Sequence, residues 1–329
     1  MRACVAILLL PVLCAAVCAQ QRPKVSVEGG EQPINQRFSN AITNSAVLIT
    51  VGGSQSPEEK HGTGFLLYKG GEGSERKACR SVYATEATEN TVPCRVLLVT
   101  NRHVLPREGD NSPVFIKVAN FSETGKRVSE IEIQVFDEVG RYLPEVKFHP
   151  GGYDIAAIDV TRDLDRNGLT NFSILGTSIL AVRSNPPAGM RALPATLGDL
   201  VYILGYPSGI YDPRNAYPIL RSGIIATDPH NDFEFNTLLR EKYGFPADIK
   251  GFLIDAAIFP GSSGSLVLRK PINNEFPYTP YAVGIISDSI PIDDSELKSV
   301  QRMGLAVVYS SDAIIETLAQ FKWGPEKGR

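Results

Sequence analysis

Ser263 lies in the stretch Phe259-Pro260-Gly261-Ser262-Ser263-Gly264-Ser265-Leu266. Apolar runs at 252–259 and 266–268 flank it, so the segment reads as strand, tight turn, strand. Glycine on each side of a serine pair lets the backbone bend sharply and lets another group approach closely. A serine at such a bend can present its hydroxyl. The amides of Gly261 and Ser263 can point into the same space and hold a developing oxyanion. An ordinary Gly/Ser turn has the same composition, so the rest of the chain must decide.

A serine hydroxyl is a weak nucleophile at neutral pH. It needs a neutral imidazole to take its proton and a carboxylate to orient that imidazole. The chain has four histidines. His103 directly follows the apolar run RVLLVT at 95–100, and a strand end would hold its ring on a rigid support. His61 and His230 read as exposed turn residues, and His149 precedes Pro150 in a loop. Neither these histidines nor the nearby aspartates have metal-ligand spacing, so no metal and no cofactor are expected. Asp154 opens the apolar run YDIAAIDV at 153–160, and a charge entering such a run needs a partner. Asp159 has the opposite strand parity and cannot face the same site.

The elements that must position these groups are short strands. Apolar or alternating runs fall at 46–51, 63–68, 95–100, 114–118, 130–136, 153–160, 199–205, 219–227, 251–259, 265–268, 281–287 and 303–309. A terminal amphipathic helix is expected over 311–323, capped by Ser311 or Asp312. Segment 231–248 is the least strand-like and reads as an insertion. Many short strands with one late helix indicate an all-β barrel or sandwich.

Composition sets the outer limits. The 329 residues are 43% hydrophobic and 21% charged, a globular balance with length for a sizeable core. The formal charge of −3 and the lack of a basic run speak against a nucleic-acid partner. Residues 1–19 carry Arg2, an apolar run over 5–17 and a small-residue cleavage pattern, as a secretory signal peptide does. Residues 20–40 read as an exposed arm. The expected product is secreted or periplasmic, with no membrane span after cleavage. Removing the leader leaves Cys79 and Cys94, an even pair that suggests a disulfide worth about 3 kcal/mol.

The order His103, Asp154, Ser263 resembles that of the chymotrypsin/trypsin-like serine proteases. The local words match as well. Thr100-Asn101-Arg102-His103-Val104 resembles the family's histidine segment, Asp154-Ile155-Ala156 its D-[IL]-A segment, and Gly261-Ser262-Ser263-Gly264-Ser265 its serine segment. Gly62-Thr63-Gly64-Phe65 resembles the strand ahead of the histidine. The bacterial trypsin-like peptidases, including high-temperature-requirement proteases but without a PDZ domain, are most similar.

The resemblance implies two packed six-stranded antiparallel β-barrels within 41–329, divided near 185–198, with a C-terminal helix. It implies a catalytic set of His103, Asp154 and Ser263, an oxyanion hole from Gly261 and Ser263, and polypeptide substrate. It also implies a primary pocket lined by Ala257, Ile258, Val283, Gly284 and Ile285, which suits small or medium apolar side chains. Ser262 stands where digestive members carry an aspartate, so activation by a freed N-terminus is not expected. A catalytically silent binding module on the same fold is the alternative. An α/β-hydrolase is disfavoured, because its G-x-S-x-G elbow is missing.

Overall fold

The computed structural model describes residues 42–52, 59–70, 78–81, 91–110, 112–122, 125–169, 172–183, 185–186, 190–270, 281–294 and 299–321. The expected signal peptide and arm lie outside them. None of the helices among the described residues is long and apolar enough to cross a membrane.

The first sheet uses β1 (Ala46–Val51), β2 (Lys60–Gly70), β3 (Ala78–Ser81), β4 (Thr91–Thr100), β5 (Val114–Ser122), β6 (Gly125–Ile133), β7 (Val146–Phe148), β8 (Ala156–Asp159) and β9 (Leu175–Gly176). Its path is β6-β5-β1-β2-β4-β8-β7, with β3 beside β4 and β9 beside β2. Two short parallel strands follow, β10 (Ala181–Val182) and β11 (Arg191–Ala192). The second half contains β12 (Leu200–Gly205), β13 (Ile219–Ile225), β14 (Phe233–Glu234), β15 (Asp248–Ile249), β16 (Gly251–Asp255), β17 (Leu266–Arg269), β18 (Tyr281–Asp294) and β19 (Ser299–Ser310). Six of these close an antiparallel barrel in the order β12-β13-β16-β19-β18-β17. The second half is thus a closed antiparallel barrel whose residues share a core with the first sheet.

Side-chain alternation explains why β1 and β4 are apolar on both faces. In a strand, successive side chains point to opposite sides. Val47, Ile49, Val51, Val96 and Leu98 fill the first sheet's interior with Ile116, Ile131 and Ile158. The alternate residues Ala46, Leu48, Leu97 and Val99 join a second core with Leu204, Leu266, Ile285 and Tyr309 from the other barrel. That shared layer fuses the halves, and each fully buried Leu or Ile in it contributes about 1.5–3 kcal/mol. A third cluster, with Val201, Ile203, Phe252, Val267, Val283 and Val308, fills the closed barrel.

Beyond helical residues 42–45, the described α-helices are α1 (Thr161–Arg166), α2 (Thr237–Tyr243) and α3 (Ser311–Leu318). Sequence reading missed the first two. Helix α1 has fewer than two turns and buries Thr161 and Leu164, too little to register as periodicity. Helix α2 lies in the expected insertion with no buried residue, held by Asn236, whose side chain accepts from the Leu239 amide at 3.0 Å. Helix α3 ends at Leu318, short of the expected 323, and buries Ala313, Ile314 and Leu318. Its N-cap is Ser310 rather than Ser311 or Asp312. The Ser311 hydroxyl instead donates to the Ala282 carbonyl. The Asp312 carboxylate accepts from the Arg183 amide.

Candidate active site

His103 occupies a single 3-10 turn, Arg102–Val104, immediately after β4. Asn101 ahead of it is fully buried, and its side-chain amide donates to the Asp154 carbonyl at 2.7 Å. This ties the histidine turn to the bend carrying Asp154, which precedes β8 rather than opening it. The Asp154 carboxylate accepts from His103 Nδ1 at 2.6 Å and from the His103 amide at 3.0 Å. It also accepts from the Ser287 hydroxyl at 2.8 Å. Burial disfavours the imidazolium, but the Asp154 hydrogen bond and charge, helped by Asp288, outweigh it and raise the His103 pKa above its ordinary 6.5.

Ser263 lies in the loop between β16 and β17. Five carbonyls of the loop, those of residues 259 to 263, accept hydrogen bonds. Pro260 O accepts from the Ser208 amide, Ser263 O from the Thr63 amide at 2.9 Å, and Gly261 O from the Thr63 hydroxyl at 2.8 Å. The Ser262 carbonyl accepts from the Ser265 amide, and the Phe259 carbonyl from the Ser262 amide. The amides of Gly261 and Ser263 have no backbone acceptor among the described residues. Gly261 has φ +83° and Gly264 has φ +88°. A Cβ on Gly264 would sit 1.8 Å from the Thr63 carbonyl oxygen, so only glycine lets the loop close on β2.

Thr63 is the hub of this arrangement. Its hydroxyl also accepts from the Tyr206 amide at 2.9 Å, and its carbonyl accepts from the Thr100 hydroxyl at 2.7 Å. One buried residue of the first barrel thereby aligns the serine loop, the end of β12 and the end of β4.

Between the barrels lies a cavity of about 470 Å³, lined by His103, Ser263, Gly261, Ser287, Asp288, Ile258 and Phe259 among others. His103 and Ser263 therefore face one space. The Ser263 hydroxyl donates to the Ser287 carbonyl at 2.9 Å, and no hydrogen bond joins it to His103.

The remaining expected residues divide. Ile258 lines the cavity and is buried, while neighbouring Ala257 is exposed. Val283, Gly284 and Ile285 do not line it. Val283 and Ile285 are fully buried in the cores, and β18 is paired on both edges at Gly284 and Ile285. The wall is formed instead by Ser287 and Asp288, farther along the same strand. His61, expected to be exposed, is only partly so and lines the cavity. His149 Nε2 lies 3.0 Å from Glu316, and His230 Nε2 lies 2.9 Å from the Ala195 carbonyl. Asp159 is buried against Arg95 and Thr161, away from the catalytic candidates. Among the described residues there is no cluster of metal-ligating side chains. The Cys79 side chain lies outside the described residues.

Sequence reading missed Ser287, Thr63 and Asn101. Ser287 gave a faint signal as the polar residue ending an apolar run, and Thr63 as the residue between two glycines.

Fold and site together define the class, a nine-stranded sheet packed on a closed six-stranded antiparallel barrel with a serine facing the cleft. The chain belongs to the trypsin-like peptidase family, whose domain model matches residues 62–271. Among solved structures it is similar to the Rv3671c protease of M. tuberculosis in its active form, at 18% identity and TM-score 0.42, over 93% of this chain and 97% of that one. It is similar to the inactive form of the Rv3671c protease at 18% identity and TM-score 0.42, over 87% and 93% of the two chains. No curated protein matches.

Proposed function

We propose that this protein is an exported serine endopeptidase that cleaves peptide bonds through His103, Asp154 and Ser263. The observation that carries the reading is the 2.6 Å His103–Asp154 pair opening onto the cavity that Ser263 also lines. His103 Nε2 takes the Ser263 proton as the hydroxyl oxygen attacks the peptide carbonyl. The amides of Gly261 and Ser263 receive the oxyanion. His103 then passes the proton to the leaving amine, and water resolves the acyl-enzyme by the same steps in reverse. Asp154 holds the imidazole with Nδ1 toward it, leaving Nε2 free to accept. Ile258, which lines the cavity, favours a small or medium apolar side chain on the acyl side.

Export follows from the leader-like residues 1–19, and N-terminal sequencing of secreted product is expected to start near Gln20. A Cys79–Cys94 disulfide suits that setting. Supporting it, β3 runs beside β4 with Ser81 opposite Cys94, and Cys94 is buried.

The test is covalent labelling with a fluorophosphonate, followed by peptide mapping. Label on Ser263, lost in Ser263→Ala with the fold intact, is the expected result. A second readout is casein hydrolysis, which Ser263→Ala should lower by several orders of magnitude. Unlabelled wild-type protein that cleaves nothing would favour the silent binding module.

A further inference from the structure

We propose that the carboxylate of Asp288 forms a subsite for a lysine or arginine side chain, one residue before the acyl-donating residue of a peptide substrate. The inference rests on the reading of the cleft as a peptide-cleaving site and names the substrate class it takes.

Three observations carry it. Asp288 lines the same cavity as His103 and Ser263. It lies on a stretch of β18 whose edges are not fully paired. Pairing with β17 has its last register at Ile285, and the register with β19 is broken between Ile286 and Ser289. A peptide could therefore lie extended along this edge. Finally, Asp288 is exposed, and it forms no ion pair among the described residues. Among the described residues its carboxylate accepts only from the adjacent Ser289 amide, at 2.7 Å.

The geometry of an extended peptide sets the position. Side chains of consecutive residues point to opposite sides. If the acyl-side residue turns toward Ile258, the preceding one turns toward the wall carrying His103. Asp288 and His103 line the same cavity, and the Asp288 charge helps to raise the His103 pKa. A cationic side chain there would meet an unpaired carboxylate. An acidic one would meet a like charge. Glu59 and Lys60, the other charged residues lining the cavity besides the histidines, carry opposite charges that offset each other.

The test measures binding separately from chemistry. Full-length Ser263→Ala protein is titrated with fluorescent peptides that differ only at this position, as Arg, Gln or Asp. The Arg peptide is expected to bind about fivefold more tightly than the Gln peptide, the strength of a partly exposed ion pair. The Asp peptide should bind more weakly than either. The gap should close in Ser263→Ala/Asp288→Asn and in about 1 M salt, where the screening length is near 3 Å. Equal binding of the three peptides, no measurable binding, or an Arg preference that survives Asp288→Asn would overturn the proposal. Turnover by wild-type protein separates the two readings. If the peptides stay intact while Ser263→Ala still discriminates, the peptidase reading fails and the subsite stands. If they are cleaved with no Asp288-dependent preference, the reverse holds.

Discussion

The Ser263 hydroxyl donates its hydrogen bond to the Ser287 carbonyl at 2.9 Å, while the Ser287 hydroxyl donates to Asp154 at 2.8 Å. Ser287 thus touches the nucleophile through its backbone and the orienting carboxylate through its side chain. A peptide N–H aligned on this strand would compete for the Ser287 carbonyl. The displaced serine hydroxyl would then be free to turn toward His103.

Ser287→Ala keeps the carbonyl and removes the hydroxyl. A hydrogen bond to a charged group is worth about 1.5–3 kcal/mol, so kcat should fall by about ten- to a hundredfold with little change in KM. Asp154, left with one donor fewer, should lean harder on the imidazole and move the acid limb of the pH profile upward. Unchanged kcat and an unchanged limb would show that Ser287 acts through its backbone alone.

The raised His103 pKa sets the sign of the pH dependence. The imidazole acts as base only when neutral, so kcat/KM should fall as pH drops through a value above 6.5. Asp288→Asn removes one of the raising charges and should shift that limb to lower pH. Asp154→Asn should shift it further and cut kcat by about 10⁴-fold, by analogy with other triads. A pH–rate series on the three proteins checks the order.

Thr63→Val is nearly isosteric but leaves the Gly261 carbonyl and the Tyr206 amide without the threonine hydroxyl. Each orphaned buried group costs about 1–3 kcal/mol. A Gly261 peptide that turns over to find another partner would also withdraw its N–H from the oxyanion position. We expect a loss in kcat of about 10²–10³-fold and a lower melting temperature. A stability loss without a kcat loss would detach Thr63 from the chemistry.

Gly264→Ala puts a methyl 1.8 Å from the Thr63 carbonyl oxygen at a φ of +88°. The cost should reach about 3 kcal/mol or more, with loss of fluorophosphonate labelling. Scanning calorimetry and labelling on the same sample check both.

Burial pushes the Asp163 carboxyl up to about 6 from 3.8. Between those values the folded chain keeps a proton that the unfolded chain has released, so this contribution to stability is lost as pH rises through about 6. Asp163→Asn should therefore raise the melting temperature by a few degrees at pH 7.5 and leave it unchanged near pH 4. An equal shift at both pH values would exclude titration as the cause.

Most of the strands were legible because their side chains alternate every two residues and pack against a core on one side or on both. The β18 edge was not. The residues at 281–287 read as one apolar strand, but in the fold Gly284 and Ile285 are locked between neighbours while 287–288 face the cleft. Asp154 was legible as a charge needing a partner, but not its Ser287 donor, because that contact joins residues 133 apart. Helix α2 left no periodic signal, since it buries no side chain.

The order of residue types along the chain determined what chemistry was available: a glycine-flanked serine, a histidine at a strand end and an aspartate entering an apolar run. Local composition suffices for that, because turn geometry and strand period are properties of neighbours. Which groups share a cavity was decided by the packing of one barrel on the other. Thr63, Ser287 and Asp288 acquire their roles through contacts between distant segments, and hydrogen bonds across such separations leave no trace in a linear pattern.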